Sequence, residues 1–233
     1  MISPEELIET GLVSKEEVYE CMVDRSNPNH ADKDYNKWKR NPKVQYDKVI
    51  ANKTKLLEKA FANFEELKKT KLKELDAEYN KFCKAEAYWL DDFVLYYALK
   101  QTHDLKPWIE WPVEHANRLK NPLKVWAVSN KKKLDQTKFV QWIFFKQWQK
   151  LKDYANSNGI LIIGDCPIFV AHDSSDVWAH REYFTVDENG KLIFQAGVPP
   201  DYFSVTGQLW GNPLYDWEKL ESENFEWLIK RFE

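Results

Sequence analysis

The chain has 233 residues, of which 43% are hydrophobic and 30% charged, the usual balance of a globular protein. This length accommodates one large domain or two small ones. The net charge of −3 gives no electrostatic case for nucleic-acid binding, and no apolar run approaches the ~18 residues of a membrane span. The acidic N-terminus is not typical of a signal peptide, and the three separated cysteines indicate neither a disulfide framework nor a metal site. We therefore expect a cytoplasmic protein.

The first hundred residues are predicted to be mainly helical. Ser3 followed by Pro4 is a typical helix start, and residues 14–17 form a capping box for a second helix. Residues 27–42 are polar and contain two prolines, which predicts a loop. Apolar residues at a spacing near 3.6 predict helix from about residue 46 to residue 99.

Three features that resemble functional signals are interpreted as structural. Asp91 and Asp92 are adjacent on a predicted helix, so their side chains point about 100° apart. Residues 106–112 contain two prolines and two tryptophans, which predicts a break between helices filled by indole rings. The lysines at 131–133 are typical of a solvated helix face.

The clearest helix is predicted at residues 137–157, followed by Asn158 and Gly159 as a C-cap. An apolar run at residues 160–163 then predicts a buried strand, directly before Gly164 and Asp165. A carboxylate at the end of a buried strand is how (β/α) barrels present catalytic groups, although a turn residue is the alternative. The apolar stripe of this helix consists of Val140, Phe144, Trp148, Leu151 and Ala155.

The most informative stretch is AGVPPDYFSVTGQLWGNPLYDW, residues 196–217. Its prolines fix the backbone, and its glycines allow conformations that other residues avoid. The rings can cover the apolar face of a pyranose, while amides and carboxylates bind its hydroxyls. Upstream, residues 187–190 predict a hairpin turn, and the apolar residues after Leu214 predict a further helix.

This stretch, together with GDCPIFVAHDSSDVWA at residues 164–179, resembles the 4-α-glucanotransferases, or amylomaltases, of the α-amylase-like clan. The segments WLDDFVLYYALK, KPWIEWP and QWIFFKQWQKLKDYANSNGI resemble the same family in the same order. The resemblance implies an α/β fold that is part of a (β/α)8 TIM barrel, with a large helical insertion and a small irregular β-containing lid subdomain. The resemblance also implies a division of the chain into four parts: the helical insertion at 1–135, a barrel helix and strand at 136–170, the lid at 171–217 and the start of the next barrel helix at 218–233.

The same resemblance implies transfer of α-1,4-glucan segments between maltodextrins by a retaining double displacement, with no cofactor and no metal. Asp165 would support the catalytic arginine of the family without being the nucleophile or the acid/base. No Arg-x-Asp-His segment, in which the family carries its nucleophile, occurs in this sequence, so we expect an internal piece of a larger enzyme. The residues that would bind glucan are Asp201, Tyr202, Ser204, Gln208, Trp210 and Asn212; His172 is given no role.

Two alternatives remain open from the sequence. One is an α-amylase-like hydrolase, which the loop at 196–217 disfavours because it resembles the transferase lid. The other is a carbohydrate-binding fragment that folds and binds glucan without reacting.

Overall fold

The structure, a computed structural model, describes residues 2–22 and 46–232, so the predicted loop at 27–42 lies outside the described residues. The chain divides into two compact units, one formed by residues 1–85 and 138–160 and the other by residues 86–137 and 161–233. Among the described residues, none of the helices combines the length and the apolar character needed to cross a bilayer.

The first unit is entirely helical in the part that the structure describes. Its core gathers around Phe64, which is fully buried and whose ring centroid lies 5.2 Å from that of Phe139, 5.4 Å from Tyr79 and 5.6 Å from Trp142. Aromatic contacts of this kind add stability beyond the area they bury. The helices of this unit are α1 (Pro4–Glu9), α2 (Lys15–Met22), α3 (Tyr46–Leu67), α4 (Lys73–Ala85) and most of α8 (Lys131–Ser157).

The predicted helix ends of this unit are confirmed. Ser3 Oγ accepts from the Glu6 amide at 3.4 Å, and the capping box forms reciprocally, with Ser14 and Glu17 bonded at 2.9 and 3.1 Å. At the end of α8, Gly159 adopts a φ of +75°, and the amide of Ile160 bonds back into the helix. These contacts link residues at most five apart, so the local sequence determines them.

The predicted helix is confirmed as α8, but its apolar stripe is buried only in part, through Val140, which packs against the core. Phe144, Trp148 and Leu151 are 38%, 40% and 53% exposed. The buried residues are Phe139, Trp142 and Ile143, which face the rings of α3 and α4. A helix that is apolar on two faces does not reveal in its sequence which face will meet the neighbouring helices.

The second unit combines short helices with a two-stranded antiparallel sheet, and its core is built on tryptophans. Trp108 and Trp178 are fully buried and Trp111 is nearly so, which confirms that residues 106–112 pack their indoles between helices. The elements are α5 (Ala87–Thr102), a 3-10 turn (Trp108–Glu110), α6 (Val113–Ala116), α7 (Lys120–Ser129), α9 (Ser175–Ala179), a second 3-10 turn (Arg181–Tyr183), β1 (Gln195–Val198), β2 (Gln208–Pro213), α10 (Trp217–Ser222) and α11 (Glu226–Ile229).

Asp92 has the structural role that was predicted for it. Its carboxylate pairs with Arg118 at 2.5 Å, and the guanidinium of Arg118 lies over the Trp178 ring at 4.3 Å. The single helix predicted after Leu214 is instead two short helices, because Asn224 and Phe225 take positive φ values and end α10.

The units do not divide the chain at residue 135, where the sequence predicted the end of the helical insertion. Helices α5 to α7 share a core with residues 161–232. The assignment of segments to barrel and lid therefore stays a prediction.

The predicted buried strand at residues 160–163 is wrong for this structure. The segment has no regular secondary structure, and Leu161 and Ile163 are 82% and 94% exposed. A strand is stable only when its amide and carbonyl groups pair with a neighbouring strand. Within the described residues β1 and β2 pair with each other, so nothing there completes a sheet around residues 160–163.

The predicted turn at residues 187–190 is confirmed, and it packs on the core. The Asp187 side chain accepts from the amides of Asn189 and Lys191 at 2.9 and 2.8 Å. Gly190 has a φ of +78°, and a Cβ at this position would collide with the outer atoms of the Trp108 ring, with Cζ3 at 2.6 Å. The residues flanking the turn pair through a single bridge, Val186 with Leu192, and not as strands.

We predict that Gly190→Ala destabilises the second unit by about 2–5 kcal/mol, the sum of αL strain and overpacking. Trp108 cannot yield, because it is fully buried and both of its nitrogens are hydrogen-bonded. Gly211→Ala is the matched control, since Gly211 has a φ of +76° with nothing within 4 Å of the added Cβ. In urea unfolding, Gly211→Ala should lower the free energy of unfolding by only about 1–2 kcal/mol. Equal losses of stability in both variants would contradict the argument that Gly190 is required by its packing against Trp108.

A pair of histidines links the end of α5 to α6. His103 Nε2 and His115 Nδ1 are 2.9 Å apart, and Trp111 packs on the His103 ring at 5.3 Å. One nitrogen must donate and the other accept, so the contact requires an unprotonated imidazole. Burial, together with its neighbour His115, lowers the pKa of His103, and burial lowers the pKa of His115. Of the nearby charges, Asp104 and Glu114 oppose this lowering and Lys106 adds to it.

We predict that the second unit loses stability as the pH falls below 6.5. The pKa values of both histidines in the folded protein lie below the ordinary 6.5, so the unfolded chain binds protons first as the pH falls. The contribution of the histidine pair to the free energy of unfolding is therefore complete only above pH 6.5. The melting temperature should therefore be lower at pH 5.5 than at pH 7.5. Carboxylates of lowered pKa, such as Glu17, lose their effect only below about pH 4.5. His103→Gln should reduce the difference, and the same difference in both proteins would contradict the assignment.

Candidate functional site

The candidate site is a hairpin in the second unit, formed by β1, the loop at 199–207 and β2. The strands pair antiparallel, with Gly197 opposite Leu209 and Val198 opposite Gln208, and the register shifts between residues 195 and 197. Two glycines permit close approach of the backbones. A Cβ on Gly197 would lie 2.5 Å from the Gln208 carbonyl oxygen, and one on Gly207 would lie 2.6 Å from the Val198 carbonyl oxygen. We call residues 195–213 the lid hairpin.

The loop of the lid hairpin is held by its own hydrogen bonds. Asp201 Oδ1 accepts from the amides of Phe203 and Ser204 at 2.9 and 2.8 Å, and the Asp201 amide donates to the Ser204 carbonyl at 2.9 Å. Ser204 Oγ donates to the Gly207 carbonyl at 2.7 Å. Two of the predicted glucan-binding residues, Asp201 and Ser204, thus shape the loop, which leaves the Asp201 Oδ2 atom available to a ligand.

The fixed loop displays aromatic side chains to solvent. Tyr202 and Phe203 are 99% and 90% exposed. Trp210 is half-exposed, its ring lies 6.3 Å from that of Phe169, and its Nε1 donates to Gln208 Oε1 at 3.1 Å. That bond orients the indole and leaves the amide nitrogen of Gln208 free to donate. Exposed rings beside amide groups suit a ligand with both apolar faces and hydroxyls, as a sugar has.

The base of the lid hairpin is fastened to the segment that follows Asp165. Asn212 Nδ2 donates to the Val170 carbonyl at 2.8 Å, and Tyr215 Oη donates to the Ile168 carbonyl at 2.9 Å. Burial is the main cause of the raised pKa of Tyr215, so its phenol stays a donor. Asn212, predicted to bind glucan, uses its amide nitrogen for this structural contact and retains its oxygen.

The structure brings the six predicted glucan-binding residues together on the lid hairpin, whereas Asp165 lies outside this hairpin. Asp165 lies in the exposed segment after residue 163, and no hydrogen bond or ion pair from the described residues reaches its carboxylate. Its predicted supporting role stays a prediction. His172 has a structural contact, with Nε2 2.6 Å from the Gly190 carbonyl oxygen.

Sequence reasoning missed the groups that hold the lid hairpin in place. The carbonyls of Ile168 and Val170 carry no side-chain signal, and Asp173 bonds to residues 65 and 77 positions away. The signal that could have drawn attention to Asp173 is its position as an acid immediately after His172 in a turn-rich stretch.

Comparison with known proteins identifies the family. Residues 2–233 match the family model described as 4-alpha-glucanotransferase, and the chain belongs to this family. It is 47% identical over 194 residues to the 4-alpha-glucanotransferase of Synechocystis sp., covering 82% of this chain and 38% of that protein. It is 41% identical over 233 residues to the Aquifex aeolicus 4-alpha-glucanotransferase, covering 99% and 42%.

A solved structure agrees with these relatives. The amylomaltase from Streptococcus agalactiae in complex with acarbose matches with a TM-score of 0.81 and 31% identity, over 99% of this chain and 43% of that one. The predicted family is therefore confirmed. The chain spans about two fifths of the length of the relatives that it matches.

Proposed function

We propose that this chain supplies the glucan-covering part of a 4-α-glucanotransferase, which transfers α-1,4-glucan segments between maltodextrins. The observation that carries the proposal is the lid hairpin, whose loop is locked by Asp201 and Ser204 while Tyr202, Phe203 and Trp210 remain open to solvent. Rings held in advance of binding lose little freedom when a sugar stacks on them. The acarbose in the Streptococcus agalactiae complex supports a sugar ligand for this chain as well.

The chemistry would be a retaining double displacement, which needs a carboxylate nucleophile and an acid/base about 5–5.5 Å from it. The sequence contains no Arg-x-Asp-His segment, so we assign both groups to a part of the enzyme outside this chain. Asp165 would support that machinery. The lid hairpin would bind the glucan and keep water from the reacting bond, which favours transfer to a sugar hydroxyl over hydrolysis. Neither a cofactor nor a metal is part of the proposal.

We extend the proposal to the architecture. Residues 160–163 would be a strand of a (β/α)8 barrel once strands outside this chain pair with it. The exposed face of α8, which carries Phe144, Trp148 and Leu151, would then be covered. In this scheme residues 1–135 are the helical insertion, 136–170 the barrel helix and strand, 171–217 the lid and 218–233 the start of the next barrel helix. The cytoplasmic location stays a prediction.

We predict that Trp210→Ala weakens maltoheptaose binding at least about tenfold, because truncating a central aromatic anchor costs about 2 kcal/mol or more. Trp217→Ala is the matched control, since Trp217 is 57% exposed and Trp210 49%, but Trp217 lies outside the lid hairpin. Isothermal titration calorimetry gives both affinities. Thermal unfolding distinguishes ligand contact from a purely structural role of Trp210. In the structural role, truncation of the ring would lower the free energy of unfolding by about 3–5 kcal/mol, as for a buried aromatic side chain. A large loss of stability in Trp210→Ala with unchanged affinity would contradict ligand contact.

We predict that the chain by itself releases neither glucose nor longer maltodextrins from maltotriose above a no-protein blank. The reason is that both reacting carboxylates are assigned outside it. Chromatography of the sugar products, with protein purified free of host enzymes, is the measurement. Products above the blank would show that the carboxylates lie within these residues, whereas binding without products is the expected result.

A further inference from the structure

Asp173 gathers three donors from distant parts of the second unit. Its Oδ1 accepts from Tyr96 Oη at 2.8 Å and from the backbone amide of Trp108 at 3.2 Å, and its Oδ2 forms an ion pair with Lys100. The side chain of Lys100 is only 16% exposed, and its ammonium also donates to the Lys106 carbonyl at 3.0 Å. Hydrogen bonds to an ionised group are stronger than neutral ones, and leaving a buried donor unsatisfied is costly.

The neighbouring residue is fastened as well. The His172 carbonyl accepts from Trp108 Nε1 at 2.8 Å, and His172 Nε2 lies 2.6 Å from the Gly190 carbonyl oxygen. Because a carbonyl can only accept, Nε2 carries a proton and donates it. Residues 172 and 173 are therefore fixed to α5, to the turn at Trp108 and to the turn at Gly190.

The fixed dipeptide ends the segment on which the lid hairpin rests. Two to four residues earlier, the carbonyls of Ile168 and Val170 accept from Tyr215 and Asn212. Val170 is also buried in the core. A displacement of residues 172–173 would move these two carbonyls, and with them the end of β2.

We infer that Asp173 is a positioning residue for the lid hairpin. It holds residues 168–172 in place, these hold β2 through Asn212 and Tyr215, and β2 carries Gln208 and Trp210. This inference rests on the proposed function for the statement that the hairpin positioned in this way binds glucan. The competing interpretation is that the ion pair with Lys100 stabilises the second unit as a whole and has no particular effect on the lid hairpin.

The decisive variant is Asp173→Asn. It retains an oxygen that accepts from Tyr96 and Trp108, but it turns an amide donor toward the Lys100 ammonium, where two donors cannot bond. The double variant Asp173→Asn, Lys100→Gln restores an acceptor opposite the new amide and leaves no unpaired charge. The matched control is Glu78→Gln, which removes the ion pair between Glu78 and Lys146 in the first unit.

Native-state hydrogen exchange with the whole chain is the test, because it reports local opening segment by segment. We expect Asp173→Asn to speed amide exchange in residues 195–213 at least about tenfold. The reason is that the variant loses the charged contact with Lys100, which holds the segment that anchors the lid hairpin. The double variant should return exchange toward the wild-type rate. Helix α7, which lies in the same unit as the lid hairpin, should exchange at the wild-type rate in both variants. Glu78→Gln should leave residues 195–213 unchanged.

The affinity for maltoheptaose separates this inference from the proposed function. Weaker binding by Asp173→Asn, restored in the double variant, supports both. Faster exchange of the lid hairpin in a protein whose wild type does not bind maltoheptaose supports positioning and refutes the proposed function. Unchanged exchange at 195–213, or an equal increase in α7, overturns the inference. If Asp173→Asn does not fold, Lys100→Gln alone is used, and unchanged exchange of the lid hairpin in that variant overturns it equally.

Discussion

The second unit depends on the fixation of one side chain, Trp108. Its ring is fully buried, Gly190 lies against its outer edge, and the guanidinium of Arg181 lies over it at 4.4 Å. Both of its nitrogens donate to residues 172 and 173. A buried tryptophan whose indole N–H and backbone N–H are both satisfied is held in orientation as well as in position. Trp108 therefore joins residues 172–173, Arg181 and Gly190 into one support.

That support explains how an exposed hairpin can be ordered. Tyr202 and Phe203 have almost no packing partners, and hydrophobic burial cannot hold them. The order comes from hydrogen bonds within the loop, from Asp201, and from the anchoring of Asn212 to Val170. A site arranged in this way presents its rings before the ligand arrives, and the ordering entropy is spent during folding instead of during binding.

The sequence predicted the features whose causes are local. The cap at Ser3, the capping box at Ser14 and the turn at Gly190 each depend on residues only a few positions apart, and all three are confirmed. It failed where the outcome depends on distant partners. The buried face of α8 is decided by α3 and α4, and residues 160–163 need neighbouring strands. The six predicted glucan-binding residues do lie together on one hairpin, but the role of Asp173 was not predictable, because its partners lie 65 to 77 residues away.

The proposed role of the lid hairpin is to offer a preformed surface to α-1,4-linked glucose. Its most direct test is a ¹⁵N-labelled NMR titration of the chain with maltoheptaose, using cellohexaose as the β-linked control. We expect chemical-shift changes for the Trp210 indole and for the backbone amides of residues 201–212. The Trp108 and Trp178 signals should stay unchanged, and the control sugar should cause little response. No shifts in that range, or shifts centred on other residues, would contradict it.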